Sequence, residues 1–544
     1  MKKNKLLALL LATCMTLTLA ACGAPAAKPT TAPSAAPSAV KDGSYKGEGV
    51  GKGGKIEIEV AIAGDKITGI TVLSHNETPG LADAMITLTD EIVTTNSVEV
   101  DTVAGCTLTS DGFLQAVNAA LAAAGAPAEL FHAAAAAGDK TLKAVSESHD
   151  VVVIGSGGAG LAAAIEAKAA GADVIILEKM PTSGGNTRIS GAEMAAPGNW
   201  IQKRDGIEDS VDLFYNDILT GGDNKNDPAL VRIVAEGALG GAEWLRDTCN
   251  VTWENDLMFF GGHSVMRSLI PQGASGVEII DKMIAKVAAE GIPVLYSTKA
   301  TELISEGGKV TGVKAEGNGN AYTITAKNVI LATGGFGANV EMRVKYNPEI
   351  DGSILSTNSV GSTGDGIVMG EAVGAGLTGM EYIQTYPICD PLSGALLYFD
   401  DARLYGHSLI VNKEGKRFVE ELGRRDVMSM AIKAQTGSVC YELIDQKGFD
   451  ESKILENHGP EVDYLYSNKM LVKADTLEEA AKFFGIDEAE FLKTVANYNT
   501  YVKDGKDPEF NKRKLTNPIE NGPFYIVEAA PAVHHTMGGL TINT

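Results

Sequence analysis

Residues 150–187, DVVVIGSGGAGLAAAIEAKAAGADVIILEKMPTSGGNT, are the most informative stretch of the chain. An apolar run at 151–154 has the length of a buried parallel strand, and Gly155, Gly157 and Gly160 follow it in G-x-G-x-x-G spacing. A small-residue helix over about 160–171, a second apolar strand over 174–177 and Glu178 come next. Such glycines permit a tight turn and close approach of a pyrophosphate, and the acid stands where it accepts hydrogen bonds from an adenosine ribose. A glycine-rich turn of an ordinary β-α unit is the alternative, but the complete order of elements favours a dinucleotide site.

Length and composition limit the functions to consider. With 544 residues, 44% of them hydrophobic, the chain has enough apolar residues for more than one domain. A formal net charge of −23 argues against a nucleic-acid partner, which would select a basic surface. Because the six cysteines include no C-x-x-C pair, zinc, iron–sulfur and c-type haem sites are unsupported, and we predict no metal.

The N-terminus has the pattern of an export signal. Three lysines precede an apolar run at 6–19, and Leu-Ala-Ala-Cys22 follows, which resembles the lipobox of bacterial lipoproteins, in which the cysteine is acylated. An ordinary signal peptide or a membrane helix are the alternatives, but the apolar run is short for a span. We therefore expect a signal peptide at 1–22, lipidation at Cys22, a Pro/Ala-rich tether at 23–41, and a lipid-anchored location on the extracytoplasmic face of the cell membrane.

A first folded unit is expected at 42–136. Glycine-rich turns open it, and two alternating runs, 55–62 and 66–73, predict a hairpin. The segment DTVAGCTLTS at 101–110, followed by an Ala-rich helix, resembles the FMN-binding domain of respiratory flavoproteins. The resemblance implies FMN bound covalently at Thr107 by a flavin transferase, although Ala104 and Cys106 depart from the usual motif. A β-turn with Thr109 or Ser110 capping the next helix is the alternative.

After an expected linker at 137–149, several further motifs extend the dinucleotide signature. They are Gly184-Gly185-Asn186-Thr187, a strand ending in Ala332-Thr333-Gly334-Gly335, and a turn containing Asp365. In this order they resemble the flavoprotein subunits of the fumarate reductase and succinate dehydrogenase family, from about residue 150 to the C-terminus. The resemblance implies FAD as the cofactor. The predicted FAD-binding residues are Gly155, Gly157, Gly158, Gly160, Glu178, Gly184, Gly185, Asn186, Thr187, Thr333, Gly334, Gly335 and Asp365.

The same resemblance implies the catalytic positions. Arg425 matches the active-site acid, and His534, in H-x-T-M-G-G, matches the ligand of a substrate carboxylate. Tyr386 replaces the histidine with which a fumarate reductase holds the second carboxylate. Asp401 with Arg403 is the expected relay that restores the proton of Arg425.

Tyr386 and the acids at 400–401 are similar to the pattern of urocanate reductases, so a urocanate-type enoate is the expected substrate. A packing tyrosine beside a solvated turn is the alternative, and fumarate, other enoates or arylacrylates are alternative substrates. Electrons are expected to enter from a quinol- or cytochrome-type membrane donor and to pass through FMN to FAD. The opposite, oxidising direction and an FMN electron-transfer lipoprotein with an impaired FAD site are the other functions that stay open.

The fold class follows from these units: α/β, with a Rossmann-like FAD-binding domain, an inserted α+β capping domain and a preceding small α+β FMN-binding domain. The expected boundaries are 150–381 for the FAD-binding domain, 382–532 for the capping domain, and 533–544 for the start of a returning FAD-domain segment. Family members continue through a further flavin- and substrate-contacting segment. The sequence is expected to be truncated or the product incomplete, with impaired substrate clamping.

Overall fold

The computed structural model describes residues 40–51, 54–75, 77, 83–100, 102, 107–126, 128–132, 142–260 and 262–544. The expected signal peptide, Cys22 and most of the tether lie outside these residues. Among the described residues, none of the helices combines the length and the apolar character needed to cross a membrane.

The first domain consists of an antiparallel three-stranded sheet with helices packed against it. Its elements are β1 Gly43–Gly51, β2 Gly54–Ala63, β3 Lys66–Ser74, α1 Asp83–Thr95, α2 Thr107–Ala123 and α3 Ala128–Phe131. The predicted hairpin is confirmed: β2 and β3 pair around a turn at Gly64 and Asp65. Alternate residues of β2, from Ile56 to Ile62, are buried against Phe113 and the helices. Burial of each such side chain stabilises the fold by about 1.5–3 kcal/mol.

The glycine-rich segment expected to form turns is instead the edge strand β1. The reason is the close approach of α2, because a Cβ at Gly47 would lie 1.9 Å from the carbonyl oxygen of Ala116, and one at Gly49 would lie 2.0 Å from that of Gly112. Glycine in a strand marks such close backbone approach. The glycines of β1 therefore serve packing between a strand and a helix.

The second domain has a six-stranded sheet in the order β10-β11-β12-β4-β5-β9. Strands β12, β4, β5 and β9 are parallel, as a dinucleotide-binding fold requires, while β10 and β11 extend the sheet as antiparallel strands. The elements are β4 Lys143–Ile154, α4 Gly158–Ala169, β5 Val174–Leu177, α5 Gly185–Arg188, β6 Met194–Ala195, α6 Trp200–Asp205, α7 Val211–Gly221, α8 Pro228–Asp247, β7 Trp253–Met258, β8 Ser268–Pro271, α9 Gly276–Ala289, β9 Val294–Leu295, β10 Thr298–Glu306, β11 Lys309–Gly317, β12 Asn320–Leu331, α10 Val340–Tyr346, β13 Leu355–Ser356, α11 Asp365–Ala372 and β14 Leu377–Thr378.

The remaining elements form an α+β region around a second large core. They are β15 Ile383–Cys389, α12 Asp401–Tyr405, β16 Leu409–Val411, α13 Arg425–Lys433, β17 Cys440–Asp445, α14 Gln446–Glu451, α15 Ile454–Ser467, β18 Leu471–Ala474, α16 Leu477–Phe484, α17 Glu488–Asp504, β19 Phe524–Thr536 and β20 Gly539–Leu540. Strand β19 is central, because it pairs with β13, β15, β17 and β18.

Two expected boundaries differ from the structure. Residues 143–149, expected in the linker, form the first half of β4 and pair in parallel with β12 from Asn320 onward. Strand β19 is continuous across the expected boundary at 532 and 533. A hydrophobicity pattern does not reveal the first half of β4, because residues 146–149 are polar. They are polar because this half of the strand lies at the partly exposed end of the sheet.

Candidate active site

The glycine turn at the end of β4 has the geometry predicted from its spacing. Gly155 has φ +101°, a conformation that favours glycine, and a Cβ at Gly160 would lie 1.9 Å from the Gly155 carbonyl oxygen. The Glu178 carboxylate, at the end of β5, accepts hydrogen bonds from the Ser156 N–H at 2.8 Å and the Ser156 hydroxyl at 2.7 Å. Its other oxygen accepts from the Met180 N–H at 2.8 Å. The acid therefore ties the first strand-turn-helix unit to the end of the second strand.

The space in front of this turn fits a dinucleotide. A Cβ at Gly157 would meet nothing closer than 3.7 Å, one at Gly334 nothing closer than 3.9 Å, and one at Gly185 nothing within 4 Å. The Ala332–Gly335 turn lies directly behind, because the Ala332 N–H donates to the Ile154 carbonyl at 2.8 Å. The backbone at three separate turns thus has free space beside it, which suits a cofactor that needs close contact with peptide groups.

The other predicted FAD-binding residues have partners within the protein. The Thr187 hydroxyl accepts from the Gly158 N–H at 3.3 Å, and Gly184 bridges to Gly157. The Asn186 amide donates to Asn358 Oδ1 at 2.7 Å. Thr333 packs against α11, since a Cβ at Gly366 would lie 2.2 Å from its hydroxyl.

Asp365, also predicted to contact FAD, forms ion pairs in the structure. Lys179 Nζ lies 2.6 Å and Lys299 Nζ 3.4 Å from its carboxylate. Burial would raise the pKa of Asp365, but the hydrogen bond from Lys179 and the charges of Lys179 and Lys299 together outweigh it and lower that pKa. Contact between Asp365 and FAD remains a prediction.

In the first domain, the predicted attachment residue Thr107 is the first residue of the 17-residue helix α2. Helix N-termini favour phosphate groups, so this position suits FMN joined through its phosphate. Two residues further along the helix, the Thr109 hydroxyl donates to the buried Glu77 carboxylate at 2.6 Å. Sequence reasoning missed Glu77, which is 32 residues away from Thr109. Asp101, Ala104 and Cys106 lie outside the described residues.

Arg425 begins α13 and faces the interior, whereas its neighbour Arg424 is exposed. Arg425 Nη1 donates to Gln384 Oε1 at 3.0 Å, and the guanidinium lies 4.7 Å from the centroid of the Tyr386 ring. No carboxylate lies within ion-pair distance of Arg425 among the described residues. The Arg425 guanidinium therefore contacts an amide oxygen and an aromatic face, and neither of these partners carries a negative charge that would neutralise it.

His534 lies near the C-terminal end of β19 with its ring centroid 5.5 Å from that of Tyr386. Thr357 Oγ1 is 3.1 Å from His534 Nδ1. Burial and the nearby Arg425 lower the pKa of His534 to about 4, so the imidazole is neutral at pH 7. When the threonine hydroxyl donates to Nδ1, Nε2 carries the proton and is a hydrogen-bond donor for a carboxylate.

The expected pairing of Asp401 with Arg403 is wrong, because Arg403 pairs with Asp400. Arg403 Nε and Nη2 each donate to an Asp400 carboxylate oxygen at 2.5 Å, and the Tyr386 hydroxyl donates to the same carboxylate at 2.8 Å. Residues three apart share a helix face and residues two apart do not, which the sequence spacing of Asp400 and Arg403 could have indicated. Burial and Asp400 raise the pKa of Tyr386 well above its usual range, so its hydroxyl stays a donor.

The Asp401 side chain belongs to a different cluster, in which its carboxylate lies 3.5 Å from His458 Nε2. His458 stacks on Tyr398 with ring centroids 4.6 Å apart. Burial raises the pKa of Glu193, and the charge of Asp401 raises it further. Burial likewise raises the pKa of Glu461, which accepts from the Tyr398 N–H at 3.0 Å. Glu193, absent from the sequence-based predictions, thus belongs to an acidic cluster with Asp401 and Glu461.

Within the described ranges, the structure contains no group of three or more histidine, cysteine and acidic residues arranged to hold a metal ion.

Two sites for flavin nucleotides and a central arginine beside a neutral histidine define a flavin-dependent oxidoreductase. A family model described as FAD binding domain matches residues 150–544, and one described as FMN-binding domain matches residues 51–122. The chain belongs to the FAD binding domain family and carries an FMN-binding domain before it. It is a flavin oxidoreductase acting on CH–CH groups, and the predicted fold class and both cofactors are confirmed.

Characterised relatives include reductases of several enoates. The chain is 48% identical over 508 residues to the urocanate reductase of Eggerthella lenta, covering 92% of this chain and 84% of that protein. It is 36% identical to the NADH:fumarate oxidoreductase of Klebsiella pneumoniae, covering 90% of this chain and 52% of that protein. The open conformation of a flavocytochrome c3 fumarate reductase superposes with a TM-score of 0.66 at 37% identity, over 73% of this chain and 69% of that one.

A 3-ketosteroid-Δ4-(5α)-dehydrogenase from Rhodococcus jostii superposes with a TM-score of 0.57 at 24% identity, over 73% of this chain and 86% of that one. At this identity the likeness concerns the fold alone. The same α/β framework thus also occurs in a protein whose name describes a steroid dehydrogenase.

Proposed function

We propose that this chain reduces an α,β-unsaturated carboxylate of the urocanate type. The observation that carries the proposal is the Tyr386 phenol, which stands where a fumarate reductase would place a histidine for a second carboxylate and which is bound to Asp400. A separate acidic cluster of Asp401, Glu193 and Glu461 lies around Tyr398. Burial raises the pKa of Asp400, and the charge of Asp401 raises it further. Such surroundings disfavour a second carboxylate and favour a ring with N–H donors. The 48% identity to a urocanate reductase supports the same choice.

Each residue of the site has a separate role in the proposed reduction. FAD, when bound, supplies a hydride to one alkene carbon. Neutral His534 donates an N–H to the substrate carboxylate, and the cationic Arg425 stabilises the negative charge that develops there. Arg425 is also placed to give a proton to the neighbouring carbon, because neither Gln384 nor Tyr386 withdraws its charge. The Asp400–Arg403 pair, joined to Tyr386, restores that proton.

The proposal includes a cellular setting. Cys22 is acylated and holds the protein on the extracytoplasmic face of the cell membrane, a flavin transferase attaches FMN at Thr107, and a quinol- or cytochrome-type donor reduces FMN. The export-signal pattern before Cys22 and the position of Thr107 at the start of α2 support these steps. Intact-mass measurement of protein from the native membrane tests them, since a diacylglyceryl group and an FMN phosphoester each add a defined mass.

One experiment tests the substrate. The purified full-length chain is reduced anaerobically, and reoxidation of its flavin absorbance is followed after mixing with urocanate, fumarate or acrylate. Urocanate is expected to reoxidise the flavin at least about 10-fold faster than fumarate, since a charge left unpaired in a site discriminates by more than 1.4 kcal/mol. Faster reoxidation by fumarate would contradict the assignment to urocanate, and no reoxidation by any enoate would contradict the reductase function itself.

A further inference from the structure

Two residues that follow β13 hold both the ring and the main chain of His534. The Thr357 N–H donates to the Val533 carbonyl at 2.9 Å, which ties this segment to β19. Thr357 Oγ1 lies 3.1 Å from His534 Nδ1 and 3.4 Å from the His534 carbonyl oxygen. Asn358 Nδ2 donates to the carbonyl of Val533 at 3.2 Å and to that of His534 at 3.1 Å. One residue therefore contacts the His534 side chain, and the next contacts its backbone.

The orientation of the Asn358 amide is fixed by a neighbouring amide. The Ser359 N–H donates to Asn186 Oδ1 at 2.7 Å, so Asn186 Nδ2 is the atom that faces Asn358. Asn186 Nδ2 donates to Asn358 Oδ1 at 2.7 Å, which leaves Asn358 Nδ2 for Ser356 Oγ at 2.9 Å and for the two carbonyls of β19. Turning either amide over would set donors against donors and acceptors against acceptors. Because Asn186 belongs to the turn predicted to contact FAD, one amide joins that turn to the main chain of His534.

The Thr357 hydroxyl has one proton and two acceptors on His534. The carbonyl already accepts from Asn358, and Nδ1 is the nearer of the two atoms, so the hydroxyl donates to the ring. A neutral imidazole has one N–H, and an Nδ1 that accepts a hydrogen bond leaves this proton on Nε2. If the hydroxyl donated to the carbonyl instead, its oxygen would accept from Nδ1–H, and Nε2 would have no proton to donate.

We propose that Asn358 and Thr357 are positioning residues that select the Nε2–H tautomer of His534 and so provide an N–H donor for the substrate carboxylate. Asn358 occupies the His534 carbonyl, which directs the Thr357 hydroxyl to Nδ1. Neither residue touches the reacting atoms. The role toward a carboxylate rests on the proposed reductase function, whereas the tautomer is a property of the protein without substrate, so the two are tested separately.

Nitrogen NMR of the full-length chain, isotopically labelled at histidine, measures the tautomer at neutral pH without substrate. H534Q identifies the two ring signals of His534 by their disappearance. In the unchanged protein, Nε2 is expected at the chemical shift of a protonated nitrogen and Nδ1 at that of an unprotonated one. T357V removes the donor to Nδ1, and N358D replaces the donor to the carbonyl by a carboxylate that competes for the Thr357 hydroxyl. Both variants are expected to move the two shifts toward each other or to exchange them.

Binding of urocanate to the oxidised protein, followed by the flavin absorbance, measures the consequence for the carboxylate. The Kd is expected to rise at least ~10-fold in T357V and N358D, because the carboxylate loses a hydrogen-bond donor. T357S keeps the hydroxyl and is expected to bind within about 2-fold of the unchanged protein. Equal binding by T357V and T357S would overturn the proposal, as would unchanged nitrogen shifts in T357V or a protonated Nδ1 in the unchanged protein. If N358D does not retain FAD, T357V carries the test, because the Thr357 hydroxyl bonds to His534 and not to Asn186.

Asn499 and Thr516 provide matched controls in the capping region. Asn499 donates to the Ile519 carbonyl at 2.8 Å and accepts from the Ile519 N–H at 2.7 Å, and the Thr516 hydroxyl donates to the Gly406 carbonyl at 2.9 Å. N499D and T516V are expected to keep both the His534 shifts and the Kd. A purely structural role of Thr357 would lower thermal stability in T357V without moving the shifts, which would overturn the proposal. Failure of every enoate to reoxidise the unchanged protein would reject the reductase function, while a shift change in T357V would still support tautomer selection.

Discussion

The guanidinium of Arg425 lies over the face of the Tyr386 ring, 4.7 Å from its centroid, while the hydroxyl of the same ring donates to Asp400 at 2.8 Å. One side chain therefore contacts both the guanidinium of Arg425 and the carboxylate of the Asp400–Arg403 ion pair. A histidine at this position would be shorter and could not fill both places. This arrangement places Arg425 in the site and makes its replacement the first test.

Replacing Arg425 by lysine is expected to lower enoate-dependent flavin reoxidation at least ~100-fold, because an ammonium cannot reproduce the planar guanidinium that bonds to Gln384 while it lies over the Tyr386 ring. FAD content, measured from the visible absorbance, is expected to stay unchanged. R424K is the matched control: Arg424 is the preceding residue but is exposed and pairs with Asp426 and Asp223. Substantial reoxidation in R425K would remove Arg425 from the catalytic role.

Replacing Glu193 by glutamine tests the acidic cluster as the binding site for an N–H ring. Loss of a charged hydrogen-bond acceptor is expected to raise KM for urocanate about 10-fold, equivalent to ~1.4 kcal/mol, and to leave KM for acrylate unchanged. E208Q, a change of an exposed glutamate outside the cluster, serves as the control. A parallel rise of KM for both substrates would show that Glu193 does not distinguish them.

Replacing Gly49 by alanine is expected to destabilise the first domain by about 1–3 kcal/mol, because the new Cβ would lie 2.0 Å from the Gly112 carbonyl oxygen and would push α2 away from β1. Since Thr107 begins α2, FMN attachment is expected to fall with stability. G69A, on β3 with open space around it, is the control. Chemical unfolding followed by circular dichroism and intact mass provide the two readouts, and equal stability of G49A and G69A would contradict the close packing.

The lowered pKa of His534 predicts a pH dependence of stability with a definite sign. The folded-state pKa of about 4 is below the ordinary 6.5, so the folded protein binds fewer protons than the unfolded chain. The stabilising effect of this difference is complete above pH 6.5 and is lost as the pH falls toward 4. H534Q is expected to lose less thermal stability than the unchanged protein between pH 7.5 and pH 5. H132Q, at an exposed histidine, is the control, and identical losses in H534Q and the unchanged protein would refute the assignment.

The sequence predicted those parts of the molecule in which spacing determines geometry. The strand at 174–177 and the turn from Gly155 to Gly160 are as predicted, because the apolar run and the three glycines allow little else. Strand β1 was missed because its glycines are explained by the backbone of α2, more than 50 residues away, which no local pattern contains.

The candidate site shows the same division between local and long-range information. Arg425 and His534 came from motifs, and the structure brings both beside Tyr386. The partner of Arg403 was assigned one residue too late, although the three-residue spacing of Asp400 and Arg403 on one helix face favours the pair that the structure shows. Glu193 belongs to no motif, and only the fold brings it close enough to Asp401 for that charge to add to the effect of burial in raising its pKa.

Strand β19 has a mechanical consequence for the enzyme. Its first residues, near Phe524, lie in the core of the capping region, and its last residues carry His534 and Thr536, whose hydroxyl accepts from the Phe336 N–H at 3.3 Å. A hydrogen-bonded strand resists stretching, so any displacement of the capping sheet is transmitted along β19 as along a rod. His534 therefore lies on one continuous strand with the core around Phe524, and a displacement of that core is expected to displace the His534 ring as well.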